Sequence, residues 1–343
     1  FAYVYEHSSR DLPWIYKVGA LWGGQEGSLL FWLSILSVYT GYLALRSHER
    51  TTPLALAVLA GTQLFFAVLV AFVANPFALL DVNPVDGAGL SPLLRHPAML
   101  LHPAALYAGF VGFSVPFAFA VSSLLLHVSG SGWIRTTRRW ALVAWTILSL
   151  GLLLGAFWSY ETLGWGGYWG WDPVENAALM PWLVGTAFIH SAMVEERRGM
   201  LKAWNMVLIT AAYLLTILGT MLTRSGLLNS VHAFAQSAIG PWFIALITMA
   251  LAGCVYLLST HWHELRDEQR FDTYVNRESA FLANNVVLVA TTTVILVGTL
   301  MPLISNALGT PITLGAPYFN QVAGPLLGLL IGLMGIGPLL AWR

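Results

Sequence analysis

Apolar residues fall in stretches of about 20 along this chain, and short polar segments separate them. An α-helix rises about 1.5 Å per residue, so each stretch is long enough to cross the hydrocarbon core of a bilayer. The pattern predicts nine spans, at roughly 27–46, 53–74, 103–127, 139–159, 174–194, 202–223, 240–260, 281–304 and 319–341. We therefore expect an all-α fold, a polytopic transmembrane helical bundle forming a single integral membrane domain over 1–343.

The composition agrees with a membrane protein and limits which side chains can carry chemistry. Of 343 residues, 57% are hydrophobic and only 9% are charged, whereas soluble domains carry about a quarter charged residues. The formal net charge is zero, which gives no indication of a nucleic-acid partner. The one cysteine, Cys254, lies inside an apolar stretch, which excludes a disulfide framework, a CxxC redox pair and a thiolate cluster. Chemistry must therefore come from histidines, carboxylates, aromatic residues or a cofactor.

Positive charges divide unequally between the two sets of loops. Twelve lie in one set: Arg46, Arg50, Arg135, Arg138, Arg139, Arg197, Arg198, Lys202, Arg266, Arg270, Arg277 and Arg343. The other set holds four: Arg10, Lys17, Arg95 and Arg224. Because cytoplasmic loops carry the excess of Lys and Arg, the first set is predicted to be cytoplasmic. The segments 1–26, 75–102, 160–173, 224–239 and 305–318 are then predicted to lie outside.

One outer segment, 158–182, is unusually rich in tryptophan and glycine. Its large flat side chains are Trp158, Trp165, Trp169, Trp171 and Trp182. Asp172-Pro173 should begin a helix, because Asp is a good N-cap and Pro suits the first helical position. Glu175 then falls in the first turn, where it complements the helix dipole. The segment is either an interfacial aromatic belt or a platform for a large flat apolar ligand.

Two outer histidines lie at membrane edges beside this segment. His102 precedes Pro103 at the expected start of the third span, and His232 precedes the seventh span. Two imidazoles on opposite faces of a flat ligand are a means of holding haem iron, although each residue alone could be a hydrogen-bonded surface histidine. His96 competes with His102 for this role. Arg224 is a candidate partner for a haem propionate or a plain interface anchor.

His190 differs because it lies inside the fifth span. An ionisable residue within the membrane is a functional candidate by default. It lies fifteen residues beyond Glu175, roughly 22 Å along a helix, so one haem cannot contact both places. The alternative is a polar hydrogen bond between helices. The sequence offers no other histidine well inside a span.

Several stretches together resemble the CcmF-type cytochrome c haem lyases, haem-handling membrane proteins with a tryptophan-rich signature. The strongest is LGWGGYWGWDPVENAALMPWLVGTAFIH. Others are WGGQEGSLLFW, LSPLLRHPAMLLHPAALYAGFVGFSVPFAFA, GTMLTRSGLLNSVHAFA and RESAFLANNVVLVA. The resemblance covers nearly the whole chain.

The resemblance implies cytochrome c maturation in the bacterial inner (plasma) membrane, with the catalytic face periplasmic. A haem chaperone of the CcmE type would deliver haem to the Trp-rich platform, which Trp158, Trp165, Trp169, Trp171, Asp172 and Glu175 would form. His102 and His232 would be its axial ligands, and His190 would bind a membrane haem b that serves as reductant. The haem would then form thioethers with the CxxCH motif of an apocytochrome c. Its thiols would be handled by a partner of the CcmH or CcmI type.

The chain also departs from the family pattern, and rival functions exist. It begins with Phe1 and ends as a span finishes, so we expect a piece truncated at both ends, with the second haem b ligand beyond residue 343. His96 stands where the family leads us to expect a carboxylate. The main rival is a quinol-linked electron-transfer subunit without ligase activity. A transporter is disfavoured because the spans contain almost no carboxylates, and a paralogue serving one dedicated cytochrome is not distinguished.

Overall fold

The computed structural model describes residues 1–128, 131–163, 166–228, 238–267 and 276–340, and this part of the chain is helical with connecting loops. Twelve α-helices are described. They are α1 Ala2–His7, α2 Trp14–Gly19, α3 Gln25–Arg46, α4 Thr52–Val68, α5 Ala98–Gly112, α6 Ser114–Leu125, α7 Ser131–Thr162, α8 Pro173–Arg198, α9 Lys202–Arg224, α10 Gly240–Thr260, α11 Arg277–Ala307 and α12 Ala316–Ile336. Nine candidate membrane spans result within the described residues, which confirms the predicted all-α, polytopic architecture.

The third span is broken into two helices, which the apolar pattern did not predict. Helix α5 ends at Gly112 and α6 begins at Ser114. Pro116 explains the break, because its ring nitrogen cannot donate to the carbonyl of Gly112 four residues earlier. At the junction between the two helices, the Phe113 N–H donates to the Phe110 carbonyl, three residues earlier, at 3.1 Å. The span therefore consists of two successive helices.

The spans enclose two hydrophobic cores. In the first, α5, α7, α8, α9, α11 and α12 pack around buried residues such as Met180, Phe188 and Ile295. In the second, α3, α4, α6, α9 and α10 pack around stacked aromatic pairs. The Trp32 and Phe66 rings stack at 3.7 Å between centroids. Helix α9 contributes to both cores and so ties the two halves of the bundle together.

Residues 1–24 and 75–97 form a layer over one end of the bundle, which we call the outer cap. Backbone hydrogen bonds join its two segments, with the Ala2 N–H 2.8 Å from the Ala78 oxygen and the Ala88 N–H 2.7 Å from the Tyr5 oxygen. The Tyr3 hydroxyl donates to the Ala20 carbonyl at 2.8 Å, and burial raises the pKa of Tyr3 well above its usual value. The cap covers the end that the charge pattern predicts to face outward.

The third span begins earlier than the sequence predicted. Its Pro103 also creates a contact between α5 and the outer cap. The helix begins at Ala98, so Pro103 lies inside it and His102 is already helical. Proline has no N–H to donate to the Met99 carbonyl four residues earlier. The indole N–H of Trp22 donates to that carbonyl instead, at 2.9 Å. The proline thus frees the acceptor that fixes Trp22 of the cap.

Buried polar contacts join the helices at the opposite end. Glu195 on α8 accepts from the Asn205 amide of α9 at 2.6 Å, and the Asn205 carbonyl oxygen accepts from the Ser191 hydroxyl. Arg198 on α8 donates to the buried carboxylate of Glu278 on α11 at 3.1 Å. Both carboxylates therefore meet polar partners on neighbouring helices, as buried charges require.

The Asn205 contacts generate a prediction about stability. Asn205→Leu should lower the free energy of unfolding by about 1–3 kcal/mol, because it removes the amide contacts of the buried Glu195 and Ser191 side chains. Thr293→Val is the control, since the exposed Thr293 hydroxyl bonds only to its own helix at the Val289 carbonyl. Thermal unfolding in detergent measures both variants. Equal stability of the two variants would contradict this role for Asn205.

Candidate functional site

A cavity of about 340 Å³ lies beneath the outer cap, between the nearby ends of α5, α7, α8 and α9. Its volume falls within the usual range for small-molecule sites, about 300–1,000 Å³. Its lining includes Trp22, His102, Tyr107, Trp158, Trp169 and Arg224. The cavity therefore brings together an imidazole, several aromatic rings and a guanidinium from segments distant in sequence.

His102 is held in one tautomer by α7. Its Nδ1 lies 2.8 Å from the carbonyl oxygen of Gly151, which can only accept, so Nδ1 carries the proton. Nε2 is then the nitrogen with a lone pair, the state in which histidine ligates a metal. The Trp158 ring meets the imidazole edge-on, with 5.7 Å between centroids. The ring is therefore oriented before any ligand arrives.

Two glycines on α7 make this approach possible. Gly151 and Gly155 are four residues apart, so they lie on one face of the helix. A Cβ on Gly151 would lie 2.8 Å from the Leu106 nitrogen, and one on Gly155 would lie 2.5 Å from Cε1 of His102. Small residues at this spacing let α5 and α7 pack closely enough for the hydrogen bond between Nδ1 and the Gly151 carbonyl.

His96 is poorly placed to replace His102. Its Nδ1 accepts from the Ala98 N–H at 3.1 Å, at the start of α5. Its Nε2 therefore carries the proton and donates to the Glu161 carboxylate at 2.8 Å. Both ring nitrogens are engaged in these contacts, and His96 is not among the residues that line the cavity. The geometry favours His102 over His96 as a ligand.

Three aromatic hydrogen-bond donors lie on the cavity wall. They are the indole N–H groups of Trp158 and Trp169 and the hydroxyl of Tyr107. All three are buried, and none has a partner among the described residues. Buried polar groups are nearly always hydrogen-bonded, so orphaned donors around a cavity indicate a ligand with acceptor atoms.

Arg224 supplies the positive charge of the cavity. It is the last residue of α9, and its guanidinium carbon lies 5.2 Å above the centre of the Tyr107 ring. An arginine beside an aromatic face is both oriented and partly shielded from water. The cavity thus places a cation next to an orphaned hydroxyl, an arrangement suited to a carboxylate ligand.

The two central tryptophans of the Trp-rich segment face in different directions. Trp169 lines the cavity, whereas Trp171 stacks on Phe319 of α12 at 5.2 Å between centroids. The Trp171 indole N–H also donates to Asn320 at 2.8 Å. The Trp171 backbone has φ of 57°, which turns the chain sharply at this residue. Trp171 therefore fastens the segment to α12 and is absent from the cavity wall.

Asp172 and Glu175 begin helix α8 as the sequence predicted. The Asp172 carboxylate accepts from the Val174 N–H at 3.0 Å. The Glu175 carboxylate accepts from the N–H groups of Asp172 at 3.1 Å and Gly170 at 2.9 Å. These contacts form a capping box, and Glu175 also reaches the cavity wall. Two other predicted site residues, Trp165 and His232, lie outside the described residues.

His190 is placed within α8 toward the other end of the bundle. Its Nδ1 lies 2.9 Å from the Asn284 side-chain amide of α11, and its ring is 5.2 Å from that of Phe281. The two ends of an amide are assigned from their contacts and can be exchanged. With the Asn284 oxygen toward His190, Nδ1 would donate and Nε2 would carry the lone pair. The same contact also satisfies the alternative of a hydrogen bond between helices.

The sequence did not indicate Trp22 and Tyr107 as site residues. Trp22 belongs to the outer cap, and it reaches the cavity only because its indole bonds to Met99. Tyr107 follows His102 by five residues in an apolar stretch, with no local feature that distinguishes it. The spacing of Gly151 and Gly155, by contrast, was a visible signal for a close helix contact.

Comparisons with known proteins identify a family to which the chain is similar. Residues 22–228 match the model of the family described as Cytochrome C assembly protein. The chain is 44% identical to the cytochrome c-type biogenesis protein CcmF of Escherichia coli K12, over 99% of this chain and 53% of that protein. It is 43% identical to the biogenesis protein CycK of Rhizobium meliloti, over 99% and 51% of the two.

A solved structure is also similar over nearly the whole chain. It is the cytochrome c heme lyase CcmF, which superposes with a TM-score of 0.78 at 37% identity. The match covers 97% of this chain and 49% of that one. The chain thus spans about half the length of the relatives it matches.

The helix contact at His102 generates a second prediction. Gly155→Ala should lower the melting temperature, because its methyl group must displace the His102 ring and disturb the bond to Gly151. Gly253→Ala on α10 is the matched control, since a Cβ there meets nothing within 4 Å. It should leave stability unchanged or raise it through higher helix propensity. The same loss in both variants would contradict the packing account.

Proposed function

This chain belongs to the cytochrome c assembly protein family and is of the CcmF type, and from that premise we propose that it takes part in attaching haem to cytochrome c. The observation that carries the proposal is the joint placement of His102, Trp158, Trp169, Tyr107 and Arg224 around one cavity. A haem needs an iron ligand, flat apolar contacts and partners for two carboxylates. The cavity residues provide each of these.

Each cavity residue has a distinct part in holding the substrate haem. His102 binds the iron through Nε2, since its Nδ1 is committed to Gly151. Trp158 and Trp169 contact the ring, and their indole N–H groups are donors for acceptor atoms at its edge. Arg224 and Tyr107 bind a propionate. His232 is the second axial ligand by the resemblance alone, and Trp165 completes the platform on the same ground.

The capping contacts give the remaining platform residues roles that differ from those expected from the sequence. Asp172 and Glu175 hold the start of α8, and Trp171 holds the segment against α12. These contacts position Trp169, and Glu175 also forms part of the cavity wall, whereas Trp171 and Asp172 do not line it. No general acid is assigned, because the carboxylates near the cavity already accept backbone hydrogen bonds.

The covalent step adds a thiol across a haem vinyl group. A sulfur–carbon bond and a carbon–hydrogen bond form, the S–H bond and the vinyl π bond break, and no electron is lost. Cys254, the one cysteine of the sequence, is buried in α10, so the thiols come from the CxxCH motif of the apocytochrome. The contribution of this chain is positioning, which makes a reaction between two molecules effectively intramolecular.

The proposed partners follow from this task. Haem arrives from a haem chaperone of the CcmE type, and a partner of the CcmH or CcmI type presents the apocytochrome thiols. The site faces the periplasm from the inner membrane, and the membrane supplies lipid and, as a candidate electron donor, quinol. The outer cap bounds the cavity on that side, so these partners meet the cap or its edges.

His190 is the residue that would hold a membrane haem b, and that group would supply an electron for reduction of the incoming haem iron. The support is its place inside α8 and its contact with Asn284, which resembles the outer-shell partners that orient metal-binding histidines. Apart from His102, no other histidine of the sequence lies within the nine spans of the described structure.

The first functional test compares two neighbouring histidines. His102→Gly should lower the yield of c-type cytochromes more than about tenfold, and added imidazole should restore part of it by replacing the ligand. His96→Ala should retain the yield, because His96 bonds to Ala98 and Glu161 outside the cavity. Haem staining of c-type cytochromes in cells that depend on this protein measures both. Normal maturation in His102→Gly would refute the assignment.

The second test concerns the membrane haem. Purified protein carrying His190→Ala should lose the reduced b-type absorbance, because the iron has lost a ligand. The His102→Gly protein should keep that absorbance while failing to mature cytochrome c, because the two sites are separate. A full b-type spectrum in His190→Ala would sink the assignment and leave the Asn284 contact as a hydrogen bond between helices.

A further inference from the structure

We propose that His127, His261 and Glu264 form a binding site for a zinc ion at the end of the bundle opposite the cavity. His127 follows the C-terminal end of α6, and His261 and Glu264 follow that of α10. One ligand atom from each side chain lies within 4.8 Å of the other two. We call these residues the His127 cluster. The proposal does not depend on the function proposed above.

The backbone holds the His127 cluster in place. The Glu264 N–H donates to the His261 carbonyl at 3.0 Å, which makes a tight turn directly after α10. Leu265 then anchors the turn, because its side chain is buried in the first hydrophobic core. His127 has φ of 53°, and its N–H donates to the Leu124 carbonyl at 3.1 Å. Two ordered helix ends therefore present the ligands.

His261 already has the orientation of a metal ligand. Its Nδ1 lies 2.9 Å from the carbonyl oxygen of Leu257, which can only accept. Nδ1 therefore carries the proton, and Nε2 is the ligating nitrogen. Metal-binding histidines commonly donate their other ring N–H to a carbonyl or carboxylate in this way. The Leu257 contact thus fixes both the tautomer and the direction of the ring.

His127 and Glu264 are close to the separation that zinc requires. His127 Nδ1 lies 2.6 Å from the Glu264 carboxylate, and the two imidazole centroids are 4.8 Å apart. Two ligand atoms on a tetrahedral zinc, each about 2.0 Å from the ion, are roughly 3.3 Å apart. The His127 side chain is exposed and can move outward by that difference. A small widening therefore converts the hydrogen-bonded pair into two ligands.

The chemistry of the site selects the metal. Two imidazoles and one carboxylate suit zinc and related transition metals, whereas calcium and magnesium require mostly oxygen ligands. The C-terminal ends of α6 and α10 add negative partial charge that favours a cation. The partly exposed surface leaves a fourth position for water. A bound ion would crosslink α6 to α10 and so stabilise the folded bundle.

Zinc binding to the intact protein tests the proposal. The protein is purified in detergent through a tag without histidine, stripped with a chelator, and dialysed against buffered free Zn²⁺. Zinc content, measured by mass spectrometry, should saturate as the His127 cluster fills. The melting temperature of the protein should rise at the same time. His127→Ala and Glu264→Gln should each weaken this binding more than about tenfold. His263→Ala should not, because His263 is exposed and outside the cluster.

Three outcomes would overturn the proposal. The first is no saturable zinc binding at micromolar free zinc. The second is equal weakening by His263→Ala, which indicates adventitious binding to surface histidines. The third is that substitutions in the His127 cluster alter the melting temperature without zinc but leave the zinc affinity unchanged. The cluster would then be only an ion pair. Glu264→Gln keeps the shape of the side chain, so it remains informative if His127→Ala fails to fold.

Discussion

The close approach of α5 to α7 at Gly151 and Gly155 is the contact on which the site depends. It brings the Gly151 carbonyl within 2.8 Å of His102 Nδ1 and leaves no room for a side chain beside the ring. The bond fixes the tautomer, and the tautomer decides which nitrogen can bind iron. The same crossing places Trp158 of α7 against His102. An imidazole ligand and its aromatic neighbour are thus set by helix packing.

Pro103 and the left-handed backbone at Trp171 position the other aromatic residues around the cavity. Pro103 removes a helical donor, and Trp22 of the outer cap takes the freed Met99 carbonyl. The turn at Trp171 directs that ring onto α12 and leaves Trp169 on the cavity wall. Two tryptophans separated by one residue therefore have different roles, one as an anchor and one as a proposed contact for a ligand.

The sequence predicted the features that local patterns encode. Apolar stretches predicted the nine spans found in the described residues, and Asp172-Pro173 predicted the start of α8. The site expected from the clustered tryptophans and His102 stays a prediction. The sequence could not predict contacts between distant segments. Trp22, Tyr107 and the partners of His96 lie in ordinary surroundings along the chain, and only the fold brings them to the cavity or away from it. The break at Pro116 was missed because apolar periodicity does not register one lost hydrogen bond.

The most direct measurement is a cryo-electron microscopy structure of the intact protein incubated with haem. The account predicts haem in the cavity beneath the outer cap, with its iron bonded to Nε2 of His102 and a propionate between Arg224 and Tyr107. The Trp158 and Trp169 indoles should contact the ring. Haem bound outside this cavity, or iron bonded to His96 and not to His102, would contradict it.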